Sequence, residues 1–531
     1  MMKSTGKSAP RISLTGSRFR FFASQEVVVS IILFAAYFSL GLLKHGLLNT
    51  HVFDLGLYEQ WAFLAGAGRW NEVGSFYQGF TRSQNLLFGD HFSLMLFPIG
   101  ILYRLWSSSA LLIFLQSLSV AASYFLFFTL PFPHVDPLMK RAAKLIFLLS
   151  PIIFNTALDL FSFEPLAMPF LVLSLWLART DKSNFLSLAC CFIALSAKDY
   201  CAIWVLGLGI YLISLKKYSI GSIISLSSLA WFLFALWINS GNNDKISERL
   251  GWLPELLSGE SIFRFLHSER IITSAAEDLP FNYESFGGSI EYLIVVLLPL
   301  LIFLSYKSIP ALIGALPILS VNLLASTETM RSLIYHYQLP ILFWVVVGFL
   351  DSCYSGTVIS RLLGNQRTAL RLFVCFLSFY FFLLSESSQV LTAWWNKSAL
   401  ASDVFRSRVV LNSLVDRGVG GGVSNDGCRL YTTGDIATRF SGFDGICWTP
   451  FQLSASSGNP PHLLIPRDIS IDGSSSSFAR KLLNRIFSYG HQDLSWDSEL
   501  QVAKESVGVA YTCKGLTGST HLLLCEPSGS K

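Results

Sequence analysis

HFSLMLFPIGILYRLW, residues 91–106, is the stretch whose reading decides the fold. It is apolar enough for a membrane. It is also shorter than the roughly 20 residues that a helical crossing needs, and Pro98 and Gly100 interrupt it. The lysines and arginines farther along decide between its two fates. If the stretch dips into the membrane and returns, or lies at its surface, Lys140, Arg141 and Lys144 fall on the side of the N-terminal tail. So do Arg179 with Lys182, Lys216 with Lys217, Lys307, and Arg361, Arg367 and Arg371. If it crosses, all of them change sides. Short positive connections collect on the cytoplasmic face, so residues 91–106 read as a re-entrant or juxtamembrane segment.

Outward from it, the chain alternates apolar runs with short polar joints. Residues 1–25 carry Lys3, Lys7, Arg11, Arg18 and Arg20 and no acid, as a basic cytoplasmic tail does. Val27–Leu43 is long for a signal-peptide core and shows no convincing cleavage motif, so it reads as a retained first span. Further runs follow at 110–130, 143–158, 165–177, 185–197, 201–215, 220–238, 290–304, 310–324, 339–350 and 372–384. The expectation is an α-helical multi-pass membrane protein of about eleven transmembrane helices. It has the N-terminus inside, a membrane domain over 26–394, and a first outer loop over 46–108.

The totals agree. Of 531 residues, 52% are hydrophobic and 14% charged, against about 25% charged in soluble domains, and the mean hydropathy is +0.51. The net charge of +5 comes without a dense basic run, which argues against a nucleic-acid partner. Membrane lipid is the expected surrounding. Oligomeric state leaves no mark in the sequence.

Residues 395–531 are a different material. Glycine and serine clusters separate runs that read as strands at 429–432, 462–465, 507–512 and 521–525, and as helices at 402–415 and 478–487. A small extracytoplasmic α/β domain is expected. Its four cysteines would there form two disulfides, with three pairings open. Cys428–Cys447 and Cys513–Cys525 are preferred because each closes a short loop. Cys190, Cys191, Cys201, Cys353 and Cys375 lie in or beside apolar runs and read as buried thiols. No cysteine spacing resembles a zinc site, and no P-loop, dinucleotide-binding glycine motif or HExxH is present.

The ionisable residues that parity brings to the outer face are the candidates for chemistry. Asp54, in VFDLGLYEQWAFL, opens a helical stripe of Leu55, Tyr58, Trp61, Phe63 and Leu64. It is either an N-cap or a positioned carboxylate serving as a general base, and one residue can do both. Asp90 and His91 close the same loop, as cap and interfacial histidine or as functional neighbours of Asp54. Asp159 and Glu164 join two spans, and Glu164–Pro165 looks like a helix start in which the acid caps. Lys198 and Asp199 read as a local ion pair tying two span ends. In ETMRSLIYHYQLP, Tyr335, His336 and Tyr337 supply interfacial aromatics and Arg331 a cation suited to phosphate. No metal ligand set is assigned; a divalent metal is compatible with these acids but not required by them.

The ordered strings FDLGLYEQ, LFGDHFSLMLFPIGILYRL, SFEPLAMPF, SAKDY and YHYQLP resemble the bacterial multi-pass membrane family called domain of unknown function 2079 (DUF2079). The resemblance covers about residues 54–340. That family is similar to the GT-C glycosyltransferases, which use lipid-linked sugars on the outer face and place a catalytic acid in the first outer loop. The resemblance implies Asp54 as catalytic base, supported by Asp90 and His91, in the bacterial cytoplasmic (inner) membrane. Two departures stand out. Leu160–Glu164 reads LFSFE where the family reads Asp-Phe-His-Pro-Glu, and Lys198-Asp199 stands where it has Lys-Glu-Asp.

The expected function is transfer of a sugar from a polyprenyl-phosphate carrier to an acceptor, with Glu164, Lys198, Arg331, Tyr335, His336 and Tyr337 binding substrate. A transporter or flippase of a lipid-linked or polar substrate is the first rival. It predicts ionisable residues at mid-span and paired broken helices. A non-catalytic scaffold presenting the external domain is the second.

Overall fold

The computed structural model describes residues 16–47, 55–69, 91–158, 161–239, 289–324, 328–331, 333, 335–385, 430–432, 446–448, 462–466, 511–515 and 522–527. Helix α1 (Gly16–Gly46) contains the first apolar segment long enough to cross a membrane, Gln25–Gly46. Two short helices follow, α2 (Leu57–Gly66) and α3 (Leu96–Leu105), of 10 residues each. At 1.5 Å per residue each is about 15 Å long, half the roughly 30 Å hydrocarbon core. At that length α3 falls short of the roughly 20 residues that a crossing needs. Pro98 sits in its first turn, where a helical N–H has no partner to lose. The Met95 N–H donates to the Ser196 carbonyl at 2.9 Å, fastening the start of α3 to the chain that ends α8.

Helices α2 and α3 meet at two glycines. A Cβ on Gly100 would stand 2.8 Å from the Ala65 Cβ, and one on Gly66 would stand 2.6 Å from the Gly100 carbonyl oxygen. Only residues without side chains permit so close a crossing. The Tyr103 hydroxyl adds a buried hydrogen bond to Glu59 Oε1 at 2.9 Å.

The long helices come next. Helix α4 (Ser109–Thr129) is capped by Ser108, which accepts from the Ala110 N–H. Helices α5 (Pro137–Leu148) and α6 (Pro151–Leu158) form one crossing-length segment, broken where Pro151 lacks an N–H and disfavours helical backbone at Ser150. Asp136 caps α5 through the Leu138 and Met139 N–H groups and also accepts from Tyr354 N–H at 3.0 Å. Burial opposes its ionisation, but these donors together hold its carboxyl below the ordinary range. Then come α7 (Glu164–Arg179), α8 (Asn184–Ala197), α9 (Cys201–Ser214), α10 (Tyr218–Asn239), α11 (Ser289–Ile302), α12 (Ile309–Leu324), α13 (Leu339–Asp351), α14 (Val358–Leu363) and α15 (Gln366–Leu384).

Among the described residues, five helical segments are long and apolar enough to cross a membrane: Gln25–Gly46, Ser109–Thr129, Pro137–Leu158, Tyr218–Ile238 and Tyr306–Leu323. Shorter apolar helices pack among them. Helix α13 is buried from Leu339 to Leu350, as a helix apolar all round should be. Trp204, Phe343 and Trp344 pack beside one another at its centre. By contrast α1 and α10 expose Ile31, Ile32, Leu226, Leu233 and Trp237, an apolar surface that water would not tolerate and lipid would.

Polar groups gather at both ends of α7, α9 and α13. Their first turns adjoin Glu164, Lys198 and His336. At the far end Arg179 donates to Asp351 Oδ1 at 2.6 Å, and the Tyr211 hydroxyl donates to Asp351 Oδ2 at 2.9 Å. Lys217 pairs with Asp181 nearby at 2.6 Å, and Lys144 with Glu26.

The C-terminal part contributes β1 (Leu430–Thr432), β2 (Ile446–Trp448), β3 (His462–Pro466), β4 (Tyr511–Gly515) and β5 (Leu522–Pro527). They form one sheet in the order β2-β1-β3-β5-β4, parallel at β2-β1-β3 and antiparallel at β3-β5-β4. The register sets Cys513 opposite Cys525. Strand β2 has no counterpart in the sequence reading; of the run 507–512 only residues 511 and 512 are described, both in β4. The helices expected at 402–415 and 478–487, and Cys428, lie outside the described residues.

Candidate functional site

At the N-terminal end of α7 the backbone turns out of a knot of four aromatic rings. Tyr58 packs edge-on against Trp61, Phe161 and Phe163. Glu164 then opens the helix with Pro165 in its first turn, and the cap position is Phe163, without a side-chain cap. The Glu164 carboxylate has a different partner from the cap expected of it. Lys198 Nζ donates to Glu164 Oε1 at 2.7 Å, with the two side chains 1% and 0% exposed. The local Lys198–Asp199 pair expected from sequence is thus replaced by two long-range contacts. Lys198, in extended backbone after α8, turns to Glu164. Asp199 faces His91, whose Nδ1 stands 3.1 Å and 3.4 Å from its two carboxylate oxygens.

His336 completes the group. Its Nε2 lies 3.3 Å from Glu164 Oε1 in a direction wrong for a hydrogen bond, and burial favours the neutral ring. The ring also responds to the charge of Lys198 and His91. The second Glu164 oxygen and both His336 nitrogens are buried without a hydrogen-bond partner among the described residues. An ion pair this deep is held against a desolvation cost of several kcal/mol per charge. Tyr337 helps: its ring lies 6.0 Å from Lys198 Nζ, leans tilted against His336 at 4.3 Å and meets Tyr200 edge-on at 5.9 Å.

A neutral network supports this layer. The Tyr200 hydroxyl donates to Asn322 Oδ1 at 2.6 Å, Asn322 Nδ2 donates to the Tyr292 hydroxyl at 2.9 Å, and that hydroxyl donates to Gln338 Oε1 at 2.5 Å. Gln338 Nε2 donates to the Met330 carbonyl at 2.8 Å, which fixes the 3₁₀ turn Glu328–Arg331. Arg331 lies within electrostatic range of Tyr292. Tyr335 is half-buried and leads into the 3₁₀ turn His336–Gln338. From α6, Asn155 donates to the Leu333 carbonyl at 3.0 Å, holding the same connection from below. Asn322, Tyr292, Gln338, Asn155 and the buried Glu59 and Gln60 were not among the expected site residues. Their signal was a polar residue inside an apolar run, as Asn322 is in SVNLL.

Of the expected site residues, His91, Glu164, Lys198, His336 and Tyr337 come together, and Asp199 joins them. Asp54, Asp90 and Asp159 lie outside the described residues. Among the described residues no group of three or more His, Cys, Asp or Glu side chains is arranged to hold a metal ion.

An apolar helical bundle with crossing-length helices, an apolar exterior and a buried ionic layer at one end defines an integral membrane protein. Residues 44–411 match the family described as "Predicted membrane protein (DUF2079)", and the chain belongs to that family. No curated protein matches the chain.

Proposed function

We propose that this protein is a GT-C-like glycosyltransferase of the bacterial cytoplasmic membrane. It moves a sugar from a polyprenyl-phosphate carrier to an acceptor on the outer face. The observation that supports this best is the convergence of His91, Glu164, Lys198, Asp199 and His336 at one end of the bundle, against the segment that closes the first loop. Charge is expensive to keep in a membrane, and ionisable residues retained there tend to serve function. In this reading the bundle crosses eleven times, the first loop and the C-terminal α/β domain are extracytoplasmic, and the donor's lipid lies in the outer leaflet.

The reaction needs three things. An acceptor hydroxyl must be oriented and lose its proton, for which the first loop offers Asp54, with Asp90 and His91 beside it in sequence. The leaving phosphate must have its developing charge stabilised, a role that falls to Arg331. The sugar must be oriented, for which Tyr335 and Tyr337 are suited. Lys198, enclosed and already paired with Glu164, positions the site from behind. The test replaces Asp54 with Asn and follows consumption of labelled polyprenyl-phosphate sugar by membranes carrying the protein. A loss of roughly 10²–10⁴-fold is expected for a positioned base. Unchanged transfer at normal protein levels removes Asp54 from the mechanism.

One observation favours the transporter reading. Pro299 and Pro317 lie inside consecutive helices α11 and α12, the kind of interruption on which a moving substrate path depends. Substrate flux into vesicles without any covalent product would establish that reading in place of transfer.

A further inference from the structure

The contact between His91 and Asp199 has the form of a proton-handling dyad. A carboxylate can only accept hydrogen bonds, so the Nδ1 atom that faces both its oxygens, at 3.1 Å and 3.4 Å, must carry the proton. In the neutral ring that leaves Nε2 as the basic atom. The carboxylate is itself held: the Tyr200 N–H donates to Asp199 Oδ1 at 2.8 Å, and the Asp199 carbonyl accepts from the Ala202 N–H at 3.1 Å, in the first turn of α9. His91 is held too, because it precedes the fastened start of α3 at Met95. The pair differs from its neighbours in one respect. Glu164, Lys198 and His336 are sealed in, whereas His91 and Asp199 keep 15% and 16% of their side-chain surface exposed. A proton can reach the dyad more readily than it can reach the buried triad.

We infer that Asp199 is the positioning residue of His91, fixing its Nδ1 proton so that Nε2 is the proton-accepting atom of this site. The inference rests on the transferase reading for its reaction, with Asp54 orienting the acceptor hydroxyl and His91 taking its proton. As the acceptor oxygen forms its bond to the anomeric carbon, its proton passes to His91 Nε2. The bond from that carbon to the phosphate oxygen breaks, and the polyprenyl phosphate leaves with the electron pair. The imidazolium, stabilised by Asp199, then returns its proton to water. His336 stands within electrostatic range of the His91 ring.

The test uses the full-length protein in lipid nanodiscs. Carbethoxylation of His91 by diethyl pyrocarbonate, read by peptide mass spectrometry over a pH series, reports the neutral imidazole directly and needs no substrate. Removing the neighbouring carboxylate disfavours the imidazolium. The inflection for His91 should therefore move to lower pH in Asp199→Asn, and return towards wild type in Asp199→Glu. Asp199→Ser replaces the amide variant if that one fails to fold. The same preparations are assayed for consumption of labelled polyprenyl-phosphate sugar. There His91→Gln should lose roughly 10²–10⁴-fold, with Asp199→Asn lowering turnover and leaving carrier affinity little changed. An unmoved inflection in a folded Asp199 variant overturns the assignment, as does transfer by His91→Gln within tenfold of wild type. If wild type consumes no carrier-linked sugar and the inflection still moves, the positioning role stands and the transferase reading falls.

Discussion

The Glu164–Lys198 pair is the residue-scale feature with the largest energetic consequence. Both side chains are almost fully enclosed, so neither charge can turn to water if its partner goes. Lys198→Met should cost about 3–5 kcal/mol, the range for breaking a buried pair while leaving one charge behind. The double variant Lys198→Met with Glu164→Leu should unfold close to wild type, because apolar groups of similar volume replace a buried pair at little cost. Thermal unfolding of the purified protein followed by tryptophan fluorescence measures both. Equal losses in the single and double variants would show that the pair is not a mutually dependent unit. The same residues show where sequence reading stopped. That Glu164 and Lys198 mattered was legible from ionisable residues at span ends. That each had a distant partner was not, because adjacency suggested Lys198 to Asp199 and a helix start suggested a cap. Tertiary packing offered Glu164 a full positive charge in place of backbone N–H groups. It offered Asp199 an imidazole brought in from 108 positions away.

At the scale of elements, the reading of residues 91–106 rested on length and charge placement, and α3 has the short length that reading required. What length could not reveal was the partner that keeps so short an apolar helix in place. The packing of α2 on α3 supplies it, through Gly66 and Gly100. Gly100→Val brings side-chain atoms to a crossing where even a Cβ would stand 2.8 Å from the Ala65 Cβ and 2.9 Å from the Gly66 nitrogen. Backbone cannot yield as a flexible side chain would, so the two helices must separate. The cost should be about 1–3 kcal/mol, as for other overpacked contacts, and should appear as faster proteolysis between α2 and α3 with the remaining helices intact. A Gly100→Val protein as resistant as wild type would mean that the crossing is looser than the structure has it. Strand β2 marks the opposite limit. ICW, three residues between glycine and Thr-Pro, is too short to show an alternating pattern, and pairing alongside β1 is what makes it a strand.

At the scale of the whole molecule, the two polar layers set the dimensions. Helix α7 joins Glu164 in one layer to Arg179 in the other over 16 residues, about 24 Å. That is near the thickness of a bilayer's hydrocarbon core, so the layers fit the two faces of a membrane. Which face is which depends on α3. With α3 lying at the surface, Ser183 and Lys217 belong inside and Lys531 outside. If α3 crossed, every later connection would change sides together. Alkaline phosphatase, active only outside, and green fluorescent protein, bright only inside, should therefore give opposite answers at two fusion points. After Ser183 the phosphatase should be silent and the fluorescent fusion bright; after Lys531 the phosphatase should be active and the fluorescent fusion dark. Inversion at both points would mean that α3 crosses, and inversion at Lys531 alone would mean that the count is wrong from α8 onward. The cysteines give an independent reading of the same side. Opposed residues in antiparallel strands have Cα atoms about 4.5 or 5.5 Å apart, inside the roughly 4.4–6.8 Å that a disulfide spans. Cys513 and Cys525 occupy such a register. In an oxidising compartment they should be recovered as one disulfide-linked peptide pair from cells alkylated before lysis. Free thiols at both positions, together with a silent C-terminal phosphatase, would put the sheet in the cytoplasm, and the ionic layer of His91 and Glu164 could not then face an outer-leaflet donor through eleven crossings.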